Sequence, residues 1–145
     1  MRQVSLLGCG FVADLYLRSL QSMEGISVAV VHDRDPARLE RFCAHWKLPR
    51  ADTLEDFLAA VPEGSLVLNL TNPDAHYALN RACLEAGHHV YSEKPLAMDL
   101  DEAKALYALA EARGLLLASA PCSVLGEAAQ TLGHALRHGV AGTPR

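Results

Sequence analysis

Short apolar runs alternate with helical patterns along the whole chain. Residues 4–7 and 26–31 read as strands, separated by a glycine turn and a helix over residues 12–22. A second helix opens at Asp35-Pro36, where an acidic cap precedes proline at the first helical position. Its apolar residues Leu39, Phe42, Cys43 and Trp46 recur at i, i+3, i+4 and i+7, which lays one face on a sheet. A weak strand at residues 50–51 and a short helix over residues 54–60 follow. Residues 66–70 are apolar except for Asn69, as in a strand buried on both faces. The helix expected over residues 74–86 carries a stripe of Ala75, Ala78, Leu79, Ala82, Cys83 and Ala86, small enough for close packing on the sheet. Gly87 ends it. Residues 89–92 form the next strand. A helix over residues 99–113 turns Ala103, Leu106, Tyr107 and Ala110 inward and stops at Gly114. Residues 115–118 form the last strand, and residues 125–138 a last helix closed by Gly139.

This alternation predicts an α/β fold: one doubly wound parallel sheet of six strands with helices on both faces. The 145 residues suffice for one domain with a real core, and residues 1–145 show no repeat, low-complexity segment or linker. Half the residues are hydrophobic and the net charge is −4. With no basic block, nucleic acid is not an expected partner. No apolar run approaches the ~18 residues that a membrane span needs, so no membrane partner is expected, and the first residues lack a signal-peptide pattern. Cys9, Cys43, Cys83 and Cys122 are scattered without CxxC spacing. They read as reduced core residues, which predicts the cytoplasm.

The chemistry collects at turns that follow strands. Gly8-Cys9-Gly10-Phe11-Val12-Ala13 is a G-x-G-x-x-A turn after the first strand. Gly8 permits the tight turn, Gly10 lets backbone approach a pyrophosphate, and Ala13 lets the helix pack on the strand. The helix N-terminus adds N–H donors and partial positive charge. Asp33, about 20 residues further at the end of the second strand, suits the ribose hydroxyls of an adenosine and repels a 2′-phosphate. A helix cap is its other reading. Arg34 beside it suits either that phosphate or stacking on adenine. The balance favours NAD, with NADP not excluded. Thr71-Asn72-Pro73 should run past the cofactor where the strand order reverses. His76, in the first turn of the following helix, is expected to hydrogen-bond a neighbouring loop and is counted among the cofactor-binding residues. In Glu93-Lys94-Pro95 the proline holds Lys94 extended just beyond a strand, at the edge where open α/β sheets bind ligands. His134 and His138 share a helix face without a third ligand, so no metal site is expected. Cys9 and Trp46 read as packing residues.

These motifs resemble the N-terminal domain of the Gfo/Idh/MocA family (glucose–fructose oxidoreductase, inositol dehydrogenase and relatives). The resemblance runs over essentially the whole chain. It rests on Gly8-x-Gly10-x-x-Ala13, Asn72-Pro73-x-x-His76 and above all Ala86-Gly87-x-His89-Val90-x-x-Glu93-Lys94-Pro95. It implies a Rossmann domain of a nicotinamide-dependent oxidoreductase acting on a sugar, cyclitol or related hydroxyl compound. It implies that Lys94 stands beside the nicotinamide and the reacting oxygen as the catalytic lysine, and that Glu93 supports its turn. It also implies a second domain, absent here, with the small-molecule substrate pocket, further catalytic residues and the oligomer interface. Residues 120–125, Ala-Pro-Cys-Ser-Val-Leu, lack the aromatic and arginine residues of many members. The competing reading is a non-catalytic nucleotide-sensing or partner-binding module, which would need no lysine beside the nicotinamide.

Overall fold

The computed structural model of the chain describes residues 2–120, 125–140 and 142. Five parallel strands, β1 (Arg2–Leu7), β2 (Ile26–His32), β3 (Leu66–Asn69), β4 (His89–Ser92) and β5 (Leu117–Ser119), form one sheet in the order β2-β1-β3-β4-β5. Among the described residues six helices accompany them: α1 (Phe11–Gln21), α2 (Pro36–Trp46), α3 (Leu54–Ala60), α4 (Pro73–Glu85), α5 (Leu100–Ala112) and α6 (Glu127–Arg137). The chain first winds outward from β1 to β2, then returns across β1 to wind the other way through β3, β4 and β5. The reversal lies between β1 and β3.

Alternation along the strands divides the core into two layers. Val4, Leu6, Val31 and Leu68 point to one face and pack with Ala13 and Leu17 of α1 and Leu39, Phe42 and Cys43 of α2. Leu7, Val30, Val67 and Val90 point to the other and meet Phe57 of α3, Cys83 and Leu84 of α4, and Leu106 and Ala110 of α5. The register also aligns the strand ends. Leu7 pairs with His32 and with Asn69, Asn69 with Ser92, and Ser92 with Ser119. All turns that leave the carboxyl edge therefore start from one row.

Among the described residues the sheet has five strands, where six were expected. The segment at residues 50–51 makes one parallel bridge, Val31 to Arg50. Val31 N donates to Pro49 O and Ala51 N to Val31 O, at 3.0 and 2.9 Å. Pro49 has no N–H to continue the ladder. The last strand starts at Leu117, two residues late. Leu115 N is still donating to Ala110 O at the end of α5, and Leu116 N donates to the His89 ring. The α4 stripe also differs. Ala78 and Ala86 are exposed, and the buried face is His76, Asn80, Cys83 and Leu84. Tyr107 of α5 is 55% exposed, and the buried residues of that helix are Leu106 and Ala110. α6 has no buried residue.

Phe57 is wholly buried and anchors the short α3 against the sheet. Phe57→Ala should lower unfolding stability by about 3–5 kcal/mol, as truncation of a buried aromatic does. Urea denaturation followed by circular dichroism checks it.

Candidate functional site

Gly8 begins the site. It has φ +93°, and a Cβ built there would stand 2.8 Å from Leu70 O and 2.9 Å from Thr71 N. β1 and β3 can therefore part around a cleft only if residue 8 has no side chain. Gly8 N donates to His32 O, and Leu70 N to Leu7 O. Gly10 behaves differently. Its φ is −78° and a Cβ there would meet nothing within 4 Å. It borders open space.

The cleft between these turns has a volume of about 380 Å³. Of the residues expected to bind cofactor, Gly8, Gly10, Asp33, Arg34, Thr71 and Asn72 line it. Two helices begin there. α1 follows Gly10 and α4 follows Asn72, and neither has a side-chain cap. In contrast, Asp35, Thr53 and Asp99 cap α2, α3 and α5. Ala13 N and Ala75 N donate to the Gly10 and Asn72 carbonyls and Pro73 has no N–H, which leaves the N–H groups of Phe11 and Val12 on α1 and of Asp74 on α4 as uncapped donors with partial positive charge. Together with the open space at Gly10, they fit a pyrophosphate.

Asp33 is buried, and its carboxylate is already engaged. Oδ2 accepts from Cys9 N at 2.7 Å, and Oδ1 from Asp35 N at 2.8 Å. Its first task is thus to fasten the glycine turn to the end of β2. The helix cap is Asp35, whose Oδ1 accepts from Ala37 N and Arg38 N; those bonds hold its carboxyl below the usual range. Each carboxylate oxygen can accept twice, so Asp33 keeps acceptor capacity toward the cleft. Arg38 lies 3.4 Å from Asp33 Oδ2 and 3.5 Å from Asp35 Oδ2. It lines the cleft beside Arg34, and sequence reasoning missed it. Its place in the first turn of a helix capped by Asp35 was the available signal. Cys9 is buried, and its thiol is pushed far up by desolvation and by the Asp33 charge. It packs in the core beneath α1.

Ala13 is fully buried in the core under α1, where smallness is its contribution. Phe11, the first residue of α1, is 79% exposed, and Val12 is half-buried. His76 meets two neighbouring turns, as expected, but its place among the cofactor-binding residues requires a correction. The side chain is fully buried, with Nδ1 2.6 Å from Pro95 O and Nε2 2.9 Å from Thr71 O. Both ring nitrogens face protein carbonyls, so it shapes the cleft from behind and is not placed to touch a ligand.

A buried polar chain continues from this point. Asn69 Oδ1 accepts from Thr71 N and Oγ1, and Asn69 Nδ2 donates to Asn80 Oδ1 at 2.8 Å. Asn80 Nδ2 donates to Ser92 Oγ and Leu96 O. The turn after β3 and the turn after β4 are thereby tied to the same helix. Asn69 interrupts an apolar strand and Asn80 lies one turn beyond His76; those were the clues. On the β4 turn, Glu93 N donates to Asn69 O. The Glu93 carboxylate accepts from Lys94 N at 3.1 Å and from the Tyr16 hydroxyl at 3.0 Å. Lys94 is exposed, and the Lys94–Pro95 peptide is cis. Pro73, Glu93 and Lys94 do not line the cleft. Lys94 stands on the same edge, following the strand beside β3.

Among the described residues no group of His, Cys, Asp and Glu could hold a metal. His134 and His138 stack with ring centroids 4.0 Å apart. Among the described residues no helix is long and apolar enough to cross a membrane. Cys9, Cys43 and Cys83 are free and buried, while Cys122 and residues 121–124 of the loop expected to differ from the family lie outside the described residues.

The model of the oxidoreductase family with an NAD-binding Rossmann fold, Gfo/Idh/MocA, matches residues 2–120. The chain belongs to the Gfo/Idh/MocA family. Its doubly wound sheet and glycine turn are those of the family's NAD-binding domain. It is 27% identical over 140 residues to D-apiose dehydrogenase of Paraburkholderia graminis, covering 97% of this chain and 37% of that protein. It is 32% identical over 100 residues to inositol 2-dehydrogenase/D-chiro-inositol 3-dehydrogenase of Lactiplantibacillus plantarum, covering 67% and 28%. KijD10, a 3-ketoreductase from Actinomadura kijaniata solved with TDP-benzene and NADP, superposes with a TM-score of 0.87 at 26% identity, covering 99% of this chain and 44% of that one. The chain thus spans a minor part of these proteins' lengths.

Gly8→Ala should destabilise the domain by about 1–3 kcal/mol, since a residue with a Cβ is strained at positive φ and the opposing atoms are backbone. The urea midpoint checks this.

Proposed function

We propose that the chain is the cofactor-holding part of an oxidoreductase that interconverts a hydroxyl and a carbonyl group on a sugar, cyclitol or related small molecule. The observation that carries the proposal is the convergence of two uncapped helix N-termini on the Gly8–Thr71 cleft, with Lys94 on the same strand-end row. The first turn of α1 holds the pyrophosphate. Asp33, Arg34 and Arg38 receive the adenosine ribose, and Thr71 and Asn72 line the path toward the nicotinamide. Asp33 favours NAD, and the flanking guanidinium groups leave NADP acceptable. The names of relatives that act on apiose and inositols support the substrate class.

A bound nicotinamide supplies or accepts the hydride. Lys94 does the remaining work at the reacting oxygen. Its ammonium stabilises negative charge as a carbonyl becomes an alkoxide and then delivers the proton; in the oxidative direction it takes that proton back. A second domain would bring the substrate, cover Lys94 and carry the interface of a homo-oligomer. Free buried cysteines favour a cytoplasmic setting.

Titration of the chain with NADH, read by fluorescence, should give saturable binding below millimolar concentration, and no binding at millimolar cofactor would overturn the proposal. Gly10→Ala should leave stability within about 0.5 kcal/mol, as for a change in open space, yet weaken this binding by filling the anion's approach. In the full-length enzyme, Lys94→Ala should preserve cofactor affinity and lower turnover by about 10²–10⁴-fold, the usual worth of a proton-transfer group. Unchanged turnover would remove Lys94 from the mechanism.

A further inference from the structure

We propose that Tyr16 is a positioning residue for Lys94, acting through Glu93 to hold the lysine turn against the helix that receives the pyrophosphate. The inference rests on the proposed function but draws on a different part of the structure. Tyr16 lies on α1, in the second turn after the uncapped N-terminus. Its hydroxyl donates to Glu93 Oε1 at 3.0 Å, across 77 residues of sequence. The other oxygen of the same carboxylate, Oε2, accepts the backbone N–H of Lys94 at 3.1 Å. One carboxylate therefore joins α1 to the lysine's own peptide group. The Tyr16 ring is held sideways by Tyr91 of β4, with centroids 6.4 Å apart, which limits where the hydroxyl can point. Burial, and then the bond to Glu93, push the phenol far up, so the hydroxyl remains a donor throughout the working range of pH.

The consequence concerns accuracy of placement. Lys94 is exposed, and its turn is held from the other side by His76 at Pro95 O and Asn80 at Leu96 O. Those contacts fix the residues after the lysine. Glu93 fixes the lysine's own N–H, and Tyr16 fixes Glu93. A misplacement of about 1 Å costs catalysis heavily, whereas cofactor affinity depends on the other end of α1. Tyr16 should therefore affect turnover and leave binding alone.

Hydrogen exchange of the chain without cofactor, followed by NMR, tests the linkage. Tyr16→Phe, which keeps the ring and removes only the hydroxyl, should speed exchange of the Lys94 amide by about tenfold, the scale of one net hydrogen bond. Glu93→Ala should do the same, and Tyr16→Phe should add nothing in the Glu93→Ala background. Amides of α1 and β4 should stay within about twofold of wild type. An unchanged Lys94 amide in Tyr16→Phe, or additive effects in the double variant, would overturn the linkage. In the full-length enzyme Tyr16→Phe should lower kcat about tenfold with KM and the NADH dissociation constant within about twofold. Weakened NADH binding with kcat unchanged would overturn the positioning role. Failure of the wild-type chain to bind NADH would instead remove the proposed function, and with it the catalytic meaning of Tyr16, while the exchange arm still decides whether the linkage exists.

Discussion

The carboxyl edge of the sheet depends on a buried chain of hydrogen bonds from Thr71 through Asn69 and Asn80 to Ser92 and Leu96. Two turns leave neighbouring strands there, and neither has regular structure to satisfy its backbone. Buried polar groups without partners cost about 1–3 kcal/mol each, so both turns adopt the shape in which the two asparagines, Ser92 and His76 find partners. The polar residues on α4 are what determine the loops. That constraint also explains why α4 presents His76 and Asn80 to the sheet and leaves Ala78 outside. The helix rotates to meet the turns' hydrogen-bonding needs, and the alanine stripe yields.

Two further ties converge on the same edge. Asp33 fastens the glycine turn to the end of β2 through Cys9 N, and Glu93 fastens the lysine turn to α1 through Tyr16. Asp33 accepts from Cys9 N, Asp35 N and the Arg38 guanidinium, and Glu93 from Lys94 N and the Tyr16 hydroxyl, so each carboxylate ties its turn to a second element. The backbones of both turns are thus held in advance, and preorganisation of this kind lowers the ordering cost of binding. The Gly8 contact with Leu70 does the complementary work of letting β1 and β3 lie close while their turns diverge.

α6 stands in contrast to this ordered edge. Leu125, before it, and Leu132 and Leu136 within it are 72%, 57% and 38% exposed, on a helix with no buried residue. Ala128, Leu132 and Ala135 recur at helical spacing, an amphipathic pattern whose apolar stripe finds no cover among the described residues. The parallel sheet is satisfied without it, because its two apolar layers are already formed by α1 to α5.

The strand–helix alternation, the turn at Gly8, the cap at Asp35 and the place of Lys94 beyond a strand were all legible in the sequence. Each is set by residues close together in the chain: apolar runs, a proline, a glycine that alone tolerates positive φ. The strand expected at residues 50–51 proved to be a single bridge beside Pro49, and the last strand begins two residues late because Leu115 N is still bonded to the end of α5; hydrophobicity registers neither backbone constraint. Other features could be decided only by the tertiary structure. His76, conspicuous by its chemistry, proved to be an internal brace. Tyr16, in an ordinary amphipathic helix, proved to donate to Glu93, the neighbour of Lys94, from 77 residues away. Nothing local distinguishes a tyrosine that packs from one whose hydroxyl meets a carboxylate. That meeting exists only because parallel strand pairing brings the ends of β1 and β4 to the same edge.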